Sequence, residues 1–364
     1  MFQELKLLDH LQSKFKDVNL SNVALVSCQH ILQSNYITLE YLFKLGLKPE
    51  NTFLLGKAYS SNKKVAEQLS SIGVNVHPHS FSFDSHESYD FQFQKYTREF
   101  IFEITESIKK LNGIDKIIVL DDGGYLISKI NPSTFQKKIV AVEWTTSGYR
   151  KLLGVDLEIP VLNMARSKTK LAIESPIIGL GVVQKIKKQY PKIFSSDKKA
   201  LVVGAGPIGL SVKKSLSEFQ KNSDVVDLDF SLANETDNYD LIVGCTGENI
   251  FGEKDLEKVD GVLLVSASSS DREFSAVEIR KKFPKNNDPH KEYVDEHATL
   301  ANSGFPINFD GNMQFLPLEK IQITLGMVFA SVCVCASQSL ENGMNIFPDK
   351  LDKEITEFFL KLPS

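Results

Sequence analysis

A glycine-rich turn between a buried strand and a helix carries the clearest chemical signal in this sequence. It follows the apolar run from Ala200 to Val203 and begins a helical pattern. In a GxGxxG turn the first glycine permits a sharp bend, the second lets the backbone approach a pyrophosphate, and the third lets the helix pack on the strand. The helix N-terminus then faces the anion, so the motif predicts a dinucleotide site. Its residues are Gly204, Ala205, Gly206, Pro207, Ile208 and Gly209.

An acidic residue follows the turn at the spacing that a dinucleotide site requires. Asp227 closes the run Val225-Val226-Asp227, and in this fold an acid about 20 residues after the glycines binds the adenosine ribose. A carboxylate at that position favours NAD over NADP. The alternative is a Rossmann-like domain whose pocket holds no cofactor.

Composition restricts the classes of protein to which the chain can belong. It has 364 residues, 42% hydrophobic and 24% charged, which predicts two globular domains. The net charge of −4 gives no basic surface for nucleic acid, and the 4 cysteines predict reduced thiols. The start of the chain lacks a signal-peptide pattern, and the apolar run from Ile323 to Ala336 is short for a membrane span. We therefore expect a cytoplasmic metabolic protein with no membrane or nucleic-acid partner.

The first half alternates strand-like and helix-like patterns, which predicts a second α/β domain. The predicted strands are Val23 to Val26, Thr52 to Leu55, Val74 to Val76 and Lys116 to Leu120, and the helices are Ile37 to Leu45, Val65 to Ile72 and Phe100 to Leu111. The last strand leads into Asp121-Asp122-Gly123-Gly124. Ligands of parallel sheets bind beyond the carboxyl ends of strands, so these acids are placed for chemistry.

A series of motifs, in order, resembles the S-adenosylhomocysteine hydrolase family. Leu120-Asp121-Asp122-Gly123-Gly124 resembles that family's Leu-Asp-Asp-Gly-Gly-Asp-Leu motif. The other matching segments are Cys28-Gln29-His30-Ile31, Glu143 to Gly148, Pro160 to Gly179, the glycine turn, Cys245-Thr246-Gly247 and Gly304 to Asn308. The resemblance runs from about Val23 to Leu351, and it implies homology.

The resemblance implies an NAD-dependent reaction on a nucleoside. In that family a permanently held NAD oxidises the 3'-hydroxyl, β-elimination of homocysteine follows, water adds, and the hydride returns. The residues that it assigns to the cofactor are Thr145, Thr146, Ser147, Gly204, Gly206, Pro207, Ile208, Gly209, Asp227, Thr246 and Asn308. It also implies a homo-oligomer acting on a small molecule.

Four residues match the substrate side of the family's site. Lys170 corresponds to the lysine beside the oxidised hydroxyl, where a cation favours an alkoxide. Glu174 stands four residues later, on the same face if the segment is helical. His30 and Asp122 match the family's residues for substrate contact and proton transfer. The resemblance implies that these four side chains are catalytic.

Departures from the family motifs predict a changed substrate. Trp144 replaces a ribose-binding carboxylate, and Leu32 and Ser34 replace the residues that read adenine. Tyr125 and Ser175 also depart, and two of the family's histidines and its C-terminal tail have no counterpart. A buried site that lacks a ligand's polar partners rejects that ligand, so turnover of S-adenosylhomocysteine should be slow. The open alternatives are a catalytically silent NAD-binding paralogue that associates with other proteins, and a simple NAD-dependent dehydrogenase with exchangeable cofactor.

The predicted fold class is α/β, with two Rossmann-like doubly wound domains whose central parallel sheets are flanked by helices. Residues 1–170 and 316–364 should form the substrate-side domain, and residues 171–315 the NAD-binding domain. His77-Pro78-His79 has no further ligand at metal-site spacing, so we expect no metal there. The predicted activity is NAD-dependent oxidation of a secondary hydroxyl of a nucleoside-like or other small substrate, with subsequent elimination and hydration left open.

Overall fold

The structure, a computed structural model, describes residues 5–227, 238–250, 255, 257–314 and 316–363. The chain divides into two compact units, each with its own sheet. Unit 1 comprises Met1–Phe81, Gln94–Glu174 and Asn312–Ser364, and unit 2 comprises Ser82–Phe93 and Ser175–Gly311. The short segment Ser82–Phe93 therefore belongs to unit 2 although it comes from the first half of the chain.

The elements within the described residues are numbered in chain order. The strands are β1 Val23–Ile31, β2 Thr52–Ser61, β3 Asn75–Val76, β4 Lys116–Asp121, β5 Lys138–Glu143, β6 Pro160–Asn163, β7 Lys199–Val203, β8 Ser223–Val226, β9 Tyr239–Gly244, β10 Val262–Ser266, β11 Tyr293–Val294, β12 Ala298–Leu300 and β13 Gly343–Ile346. The α-helices are α1 Lys6–Lys14, α2 Gln33–Lys44, α3 Lys63–Ser71, α4 Tyr89–Lys109, α5 Thr146–Leu152, α6 Ser175–Gln189, α7 Pro207–Glu218, α8 Ala276–Lys281, α9 Leu318–Ser337 and α10 Asp349–Leu360.

Unit 1 contains a parallel sheet of seven strands in the order β13-β6-β5-β4-β1-β2-β3. The chain starts at β1 and winds outward first on one side of it and then on the other. The strand order therefore reverses between β1 and β4, which makes their carboxyl ends the topological switch point of the sheet. All ten residues of β2 are buried, as expected for a strand covered on both faces.

Unit 2 contains a six-stranded sheet in the order β11-β12-β10-β9-β7-β8. The pairs are parallel except for β11 with β12. Here the order reverses between β7 and β9, so the glycine turn that follows β7 lies at the switch point. Two doubly wound parallel sheets flanked by helices confirm the predicted fold class.

The segment Ser82–Phe93 is tied into unit 2 by a buried arginine. Arg280 is fully buried, and its guanidinium donates to the carbonyl of Ser85 at 2.8 Å and to the carboxylate of Asp271 at 2.6 Å. On the same segment, the rings of Phe83 and Tyr89 pack edge-on against Phe305. Unit 2 therefore needs this segment to complete both its core and its hydrogen bonds.

The apolar run from Ile323 to Ala336 lies inside a longer helix. Helix α9 extends from Leu318 to Ser337, and its 20 residues are long and apolar enough to cross a membrane. However, 78% of its most apolar window is buried inside the protein, and it packs on α2 and on strands β4 and β5. The helix is therefore longer than the apolar run that it contains, and its burial is that of a core helix.

Candidate active site

The switch point of unit 1 brings together two of the predicted catalytic residues. His30 is the next-to-last residue of β1, and Asp122 directly follows β4. The parallel ladder aligns Cys28 with Asp121, and the amide of Asp122 donates to the carbonyl of Cys28 at 2.9 Å. Neighbouring parallel strands that end together thus place the imidazole and the carboxylate side by side.

A hydrogen-bonded chain of four side chains runs through this position. Asp122 Oδ2 lies 3.1 Å from His30 Nε2, and Asp122 Oδ1 lies 2.5 Å from Lys57 Nζ. His30 Nδ1 lies 2.5 Å from Ser60 Oγ. Lys57 is 1% exposed and Asp122 4%, while the His30 side chain retains 18%. Lys57 and Asp122 are therefore shielded from solvent, whereas the imidazole of His30 is partly open to it.

Burial and neighbouring charges set the protonation states in this chain. Burial alone would raise the pKa of Asp122, but the Lys57 cation and then His30 hold it far below its usual value. Burial alone would lower the pKa of Lys57, but the charge of Asp122 raises it. Burial lowers the pKa of His30 despite the opposing effect of Asp122. At neutral pH the group is therefore a carboxylate and an ammonium beside a neutral imidazole.

The neutral imidazole is oriented to accept a proton. Since ionised Asp122 can only accept hydrogen bonds, His30 Nε2 carries the proton and Nδ1 is the acceptor, which receives a bond from the Ser60 hydroxyl. A carboxylate that fixes a histidine tautomer and stabilises its protonated form is the arrangement used for general acid–base chemistry. These hydrogen-bonded side chains can therefore take a proton from a hydroxyl group of a bound molecule and return it.

The other two predicted catalytic residues form an ion pair on a single π-helical turn, Lys170–Glu174. Lys170 Nζ lies 2.6 Å from Glu174 Oε2, which confirms that the two side chains share a helical face. Both side chains are largely buried, and the Lys170 charge is one of the causes that lower the pKa of His30. Burial and the charge of Lys57 lower the pKa of His30 more than Lys170 does. π-Helical turns are frequent at functional sites.

A buried glutamate holds the loops that surround Asp122. Glu143 at the end of β5 accepts bonds from the amide of Gly124 at 2.7 Å, and from the amide and the hydroxyl of Thr145, each at 2.7 Å. Burial, and then the charge of Asp121, raise the pKa of Glu143 to about 8. A Cβ on Gly148 would lie 2.2 Å from this carboxyl, so a larger residue there would have to displace the carboxyl from its hydrogen bonds. Glu143 therefore fixes the loops after β4 and β5.

Three residues predicted to bind cofactor, Thr145, Thr146 and Ser147, lie in unit 1 at the start of α5. The Thr145 hydroxyl accepts a bond from the amide of Gly148 at 3.0 Å and donates to Glu143, so it caps the helix. The observed contacts of Thr145 are therefore internal to unit 1, and the cofactor role of these three residues stays a prediction.

The glycine turn of unit 2 has the geometry that its motif requires. Gly204 has φ of +115°, and a Cβ there would meet Cys245 at 3.0 Å across the switch point. A Cβ on Gly209 would lie 1.8 Å from the Gly204 carbonyl oxygen, whereas a Cβ on Gly206 would meet no atom within 4 Å. The first and third glycines thus permit close packing, and the second borders open space. Asp227 is exposed directly after β8, the strand beside β7.

The remaining predicted residues lie in unit 2 near the carboxyl ends of β9 and β10. The amide of Thr246 donates to Glu273 Oε1 at 2.6 Å, and the amide of Gly247 donates to the same atom at 3.1 Å. Asn308 is buried two residues after Pro306, which bridges to Ser266 at the end of β10. Glu273 therefore fixes the loop that lies opposite the glycine turn.

Lys57, Ser60 and Glu273 were missed in the sequence analysis. The sequence did indicate that Lys57 has a partner, because a lysine in the otherwise apolar run from Phe53 to Ala58 must be paired if the strand is buried. Ser60 and Glu273 had no such signal. Their roles depend on contacts with residues that are distant in sequence.

Two relatives match most of the chain. The proteins titled "Uncharacterized protein Rv0104" and "Uncharacterized protein MT0113", from two strains of Mycobacterium tuberculosis, are each 35% identical to the chain over 347 residues. The match covers 90% of this chain and 68% of each relative. No protein-family model matches the chain.

Solved structures resemble the chain only distantly. A dipicolinate synthase from Bacillus halodurans is 12% identical, with 88% of this chain and 99% of that protein covered and a TM-score of 0.44. A 2-hydroxyacid dehydrogenase from Ketogulonicigenium vulgare Y25 is 12% identical, with 88% and 97% covered and a TM-score of 0.38. Similarity at this level does not indicate a shared function.

Proposed function

The chain belongs to the family of the Mycobacterium tuberculosis proteins Rv0104 and MT0113, and we propose that it is an NAD-dependent enzyme that oxidises a secondary hydroxyl of a nucleoside-like substrate. The observation that carries the proposal is the glycine turn at the switch point of unit 2. Oxidation of an alcohol also requires removal of its hydroxyl proton. The hydrogen-bonded side chains that include His30 and Asp122 supply a group that can accept this proton.

The residues of unit 2 fit a dinucleotide. The space beside Gly206 and the helix N-terminus that it begins suit a pyrophosphate, because Gly206 has no side chain to cap the amides of the first turn. Asp227 suits the two hydroxyls of an adenosine ribose and would repel a 2'-phosphate. When bound, NAD accepts the hydride that leaves the alcohol carbon.

The residues of unit 1 supply the proton chemistry. Neutral His30 Nδ1 receives the hydroxyl proton, with Ser60 either displaced by the substrate or relaying the proton. Asp122 stabilises the resulting imidazolium, and Lys57 keeps Asp122 ionised. The cation of Lys170 lowers the energy of the alkoxide that develops as the proton leaves. Release of the proton from His30 restores the neutral imidazole, and the cycle would be complete once the ketone and NADH have left and NAD has bound again.

The cofactor half is tested by titrating NAD and NADP into purified protein in a calorimeter. We expect NAD to bind more tightly than NADP, and Asp227→Ala to weaken NAD by about 10- to 150-fold, since hydrogen bonds to a charged group contribute about 1.5–3 kcal/mol. Asp260→Ala, another exposed aspartate of unit 2, is the matched control. If neither dinucleotide binds to folded protein, the proposal is wrong.

The chemical half is tested by following NADH absorbance while nucleosides and other hydroxy compounds are added. Lys170→Met should reduce the kcat of NAD reduction to background and leave the affinity for NAD unchanged, because it removes a charge that acts in the transition state. Lys168→Met, at a lysine whose side chain is 87% exposed, is the control and should react normally. If no compound reduces NAD, the silent paralogue is favoured.

A further inference from the structure

The turn that carries Lys170 is held by a carboxylate from the C-terminal helix α10. Lys168 and Thr169 are helical and directly precede the π-helical turn. Asp352 of α10 accepts hydrogen bonds from the amide of Lys168 at 2.8 Å and from the amide of Thr169 at 3.3 Å. The hydroxyl of Ser167 accepts a bond from the amide of Lys170 at 3.1 Å. Amides at the start of a helix have no acceptor within it, so side chains supply the acceptors here.

Asp352 lies on the buried face of α10, and it is only 4% exposed. Its neighbours Leu351 and Ile355 on the same helix are buried apolar residues. A buried carboxylate costs free energy unless hydrogen bonds compensate for the water that it loses. The two amides that Asp352 accepts provide this compensation, at a helix N-terminus where negative charge is favourable. The carboxylate is therefore matched to the turn that carries Lys170.

A second set of contacts holds the same turn on α10. Thr169 is 1% exposed, and its hydroxyl donates to the backbone carbonyl of Asp352 at 3.1 Å and contacts the hydroxyl of Thr356. Asp352 and Thr356 are four residues apart, so they lie on one face of the helix. On α10 as well, Glu354 accepts a bond from Lys14 of α1 at 2.7 Å. The turn is thus bonded, through its backbone and a side chain, to a helix that is itself held in unit 1.

The position of the Lys170 ammonium depends on this anchor. A lysine side chain is flexible, and the ion pair with Glu174, which has an N–O distance of 2.6 Å, fixes the ammonium only relative to its own turn. Asp352 joins that turn to α10, which packs on α9, and α9 packs on strands β4 and β5. Asp122 directly follows β4. The contacts of Asp352 therefore fix Lys170 relative to the sheet that carries the acid–base residues.

We propose that Asp352 is a positioning residue for Lys170 and holds its ammonium where the alkoxide develops during oxidation. This inference rests on the proposed function, in which the Lys170 cation stabilises that alkoxide. A charge stabilises a transition state fully only if it is already in place when the reaction begins. A displacement of about 1 Å can lower the rate by about 100-fold. Asp352 thus acts on kcat and contacts neither substrate nor NAD.

The first experiment measures the protection of Lys170 in the full chain and needs no substrate. Trace acetic anhydride labels the lysines, mass spectrometry of peptides gives the rate at each one, and exposed Lys64 is the internal standard. The Lys170 side chain is 15% exposed and paired, so it reacts through local opening. Asp352→Asn keeps the size of the side chain but leaves one amide without an acceptor, so Lys170 should react about 10-fold faster. Asp349→Asn, at an 82% exposed aspartate of the same turn of α10, is the matched control and should leave the rate unchanged.

The second experiment measures turnover and NAD binding in the same variants. Asp352→Asn should lower the kcat of NAD reduction by about 10- to 100-fold, with KM and the dissociation constant for NAD within about twofold of the wild type. A residue that only stabilises the fold would instead lower the number of NAD sites per chain in calorimetry, which we expect to stay unchanged. Thr169→Val removes the hydroxyl bond to α10 and should act in the same direction. It decides the question by the same measurements if Asp352→Asn does not fold.

The outcomes separate this inference from the proposed function. Faster labelling of Lys170 together with a loss in kcat alone supports the inference. Labelling at the wild-type rate would overturn it, and so would faster labelling with an unchanged kcat, because Asp352 would then serve only the fold. A loss shared equally by kcat and NAD affinity would also overturn it. If no compound reduces NAD in the wild type, the proposed oxidation fails, whereas faster labelling would still support the placement of Lys170 by Asp352.

Discussion

Gly206 offers a substitution that separates cofactor binding from folding. Its φ of −75° is open to any residue, and a Cβ there would meet no atom within 4 Å. Alanine reduces the entropy of the unfolded chain, which stabilises the protein by about 0.4–1 kcal/mol, but it is a poorer N-cap than glycine by a similar amount. The two effects offset one another. We therefore expect the free energy of unfolding of Gly206→Ala to stay within about 1 kcal/mol of the wild type.

The same methyl group should strongly weaken NAD binding. It occupies the space through which the pyrophosphate must approach the backbone amides of the turn. Loss of one hydrogen bond to a charged phosphate costs about 1.5–3 kcal/mol, which corresponds to an affinity about 10- to 150-fold lower. The loss should appear in the dissociation constant for NAD and leave the unfolding transition without NAD unchanged.

Titration calorimetry with NAD and chemical denaturation without it measure the two quantities. Gly209→Ala is the contrasting variant, because its Cβ would lie 1.8 Å from the Gly204 carbonyl oxygen and would force α7 away from β7. Such overpacking costs about 1–3 kcal/mol or more, so this variant should lose stability. If Gly206→Ala binds NAD within twofold of the wild-type affinity, the turn does not hold the pyrophosphate and the cofactor assignment is refuted.

Three further predictions concern unit 1 and its chemistry. Lys57→Met should lower the free energy of unfolding by about 3–5 kcal/mol, because Asp122 stays buried without its closest cation. Chemical denaturation tests this, with Lys64→Met, at an exposed lysine, as the control. An unchanged free energy of unfolding would contradict the buried ion pair. Burial and the Asp121 charge raise the pKa of Glu143 from 4.5 to about 8, so the folded protein holds a proton that the unfolded chain releases. The Glu143 contribution should therefore make the unfolding free energy fall as pH rises from about 5 to about 8, and a Glu143→Gln protein with the same pH dependence would rule this out. S-adenosylhomocysteine should be turned over with a kcat below roughly 1 per second in a homocysteine-release assay, and a faster rate would refute a changed substrate.

Local patterns predicted the elements and the glycine turn, because those depend on residues that are close in sequence. The strand that begins at Val23 and the helix that begins at Pro207 follow from apolar runs and a turn motif. Lys57 could not be assigned to the active site in this way. Its position beside Asp122 depends on the pairing of β2 with β1 and of β1 with β4, which brings residues 57 and 122 together. Sequence spacing alone does not contain that information.

Two buried glutamates, one at each switch point, also show what a sequence motif cannot predict. The resemblance assigns the loop from Thr145 to a cofactor, which stays a prediction, and the structure shows that Thr145 bonds Glu143 within unit 1. In unit 2 Glu273 holds the amides of Thr246 and Gly247 in a similar way. A motif marks such loops as special but does not say whether their polar atoms serve a ligand or the fold. That distinction requires the hydrogen-bond partners.

The arginine-anchored segment Ser82–Phe93 has a consequence for synthesis on the ribosome. Unit 2 cannot close around Arg280 until Gly311 has been made, yet the aromatic rings of the segment emerge long before. At roughly 5–20 residues per second, Phe83 and Tyr89 wait on the order of ten to forty seconds for Phe305, their packing partner. During that interval they are apolar surface on a growing chain. Nascent chains of this protein should therefore engage chaperones over the central part of translation, and residues 175–311 made alone should not fold stably.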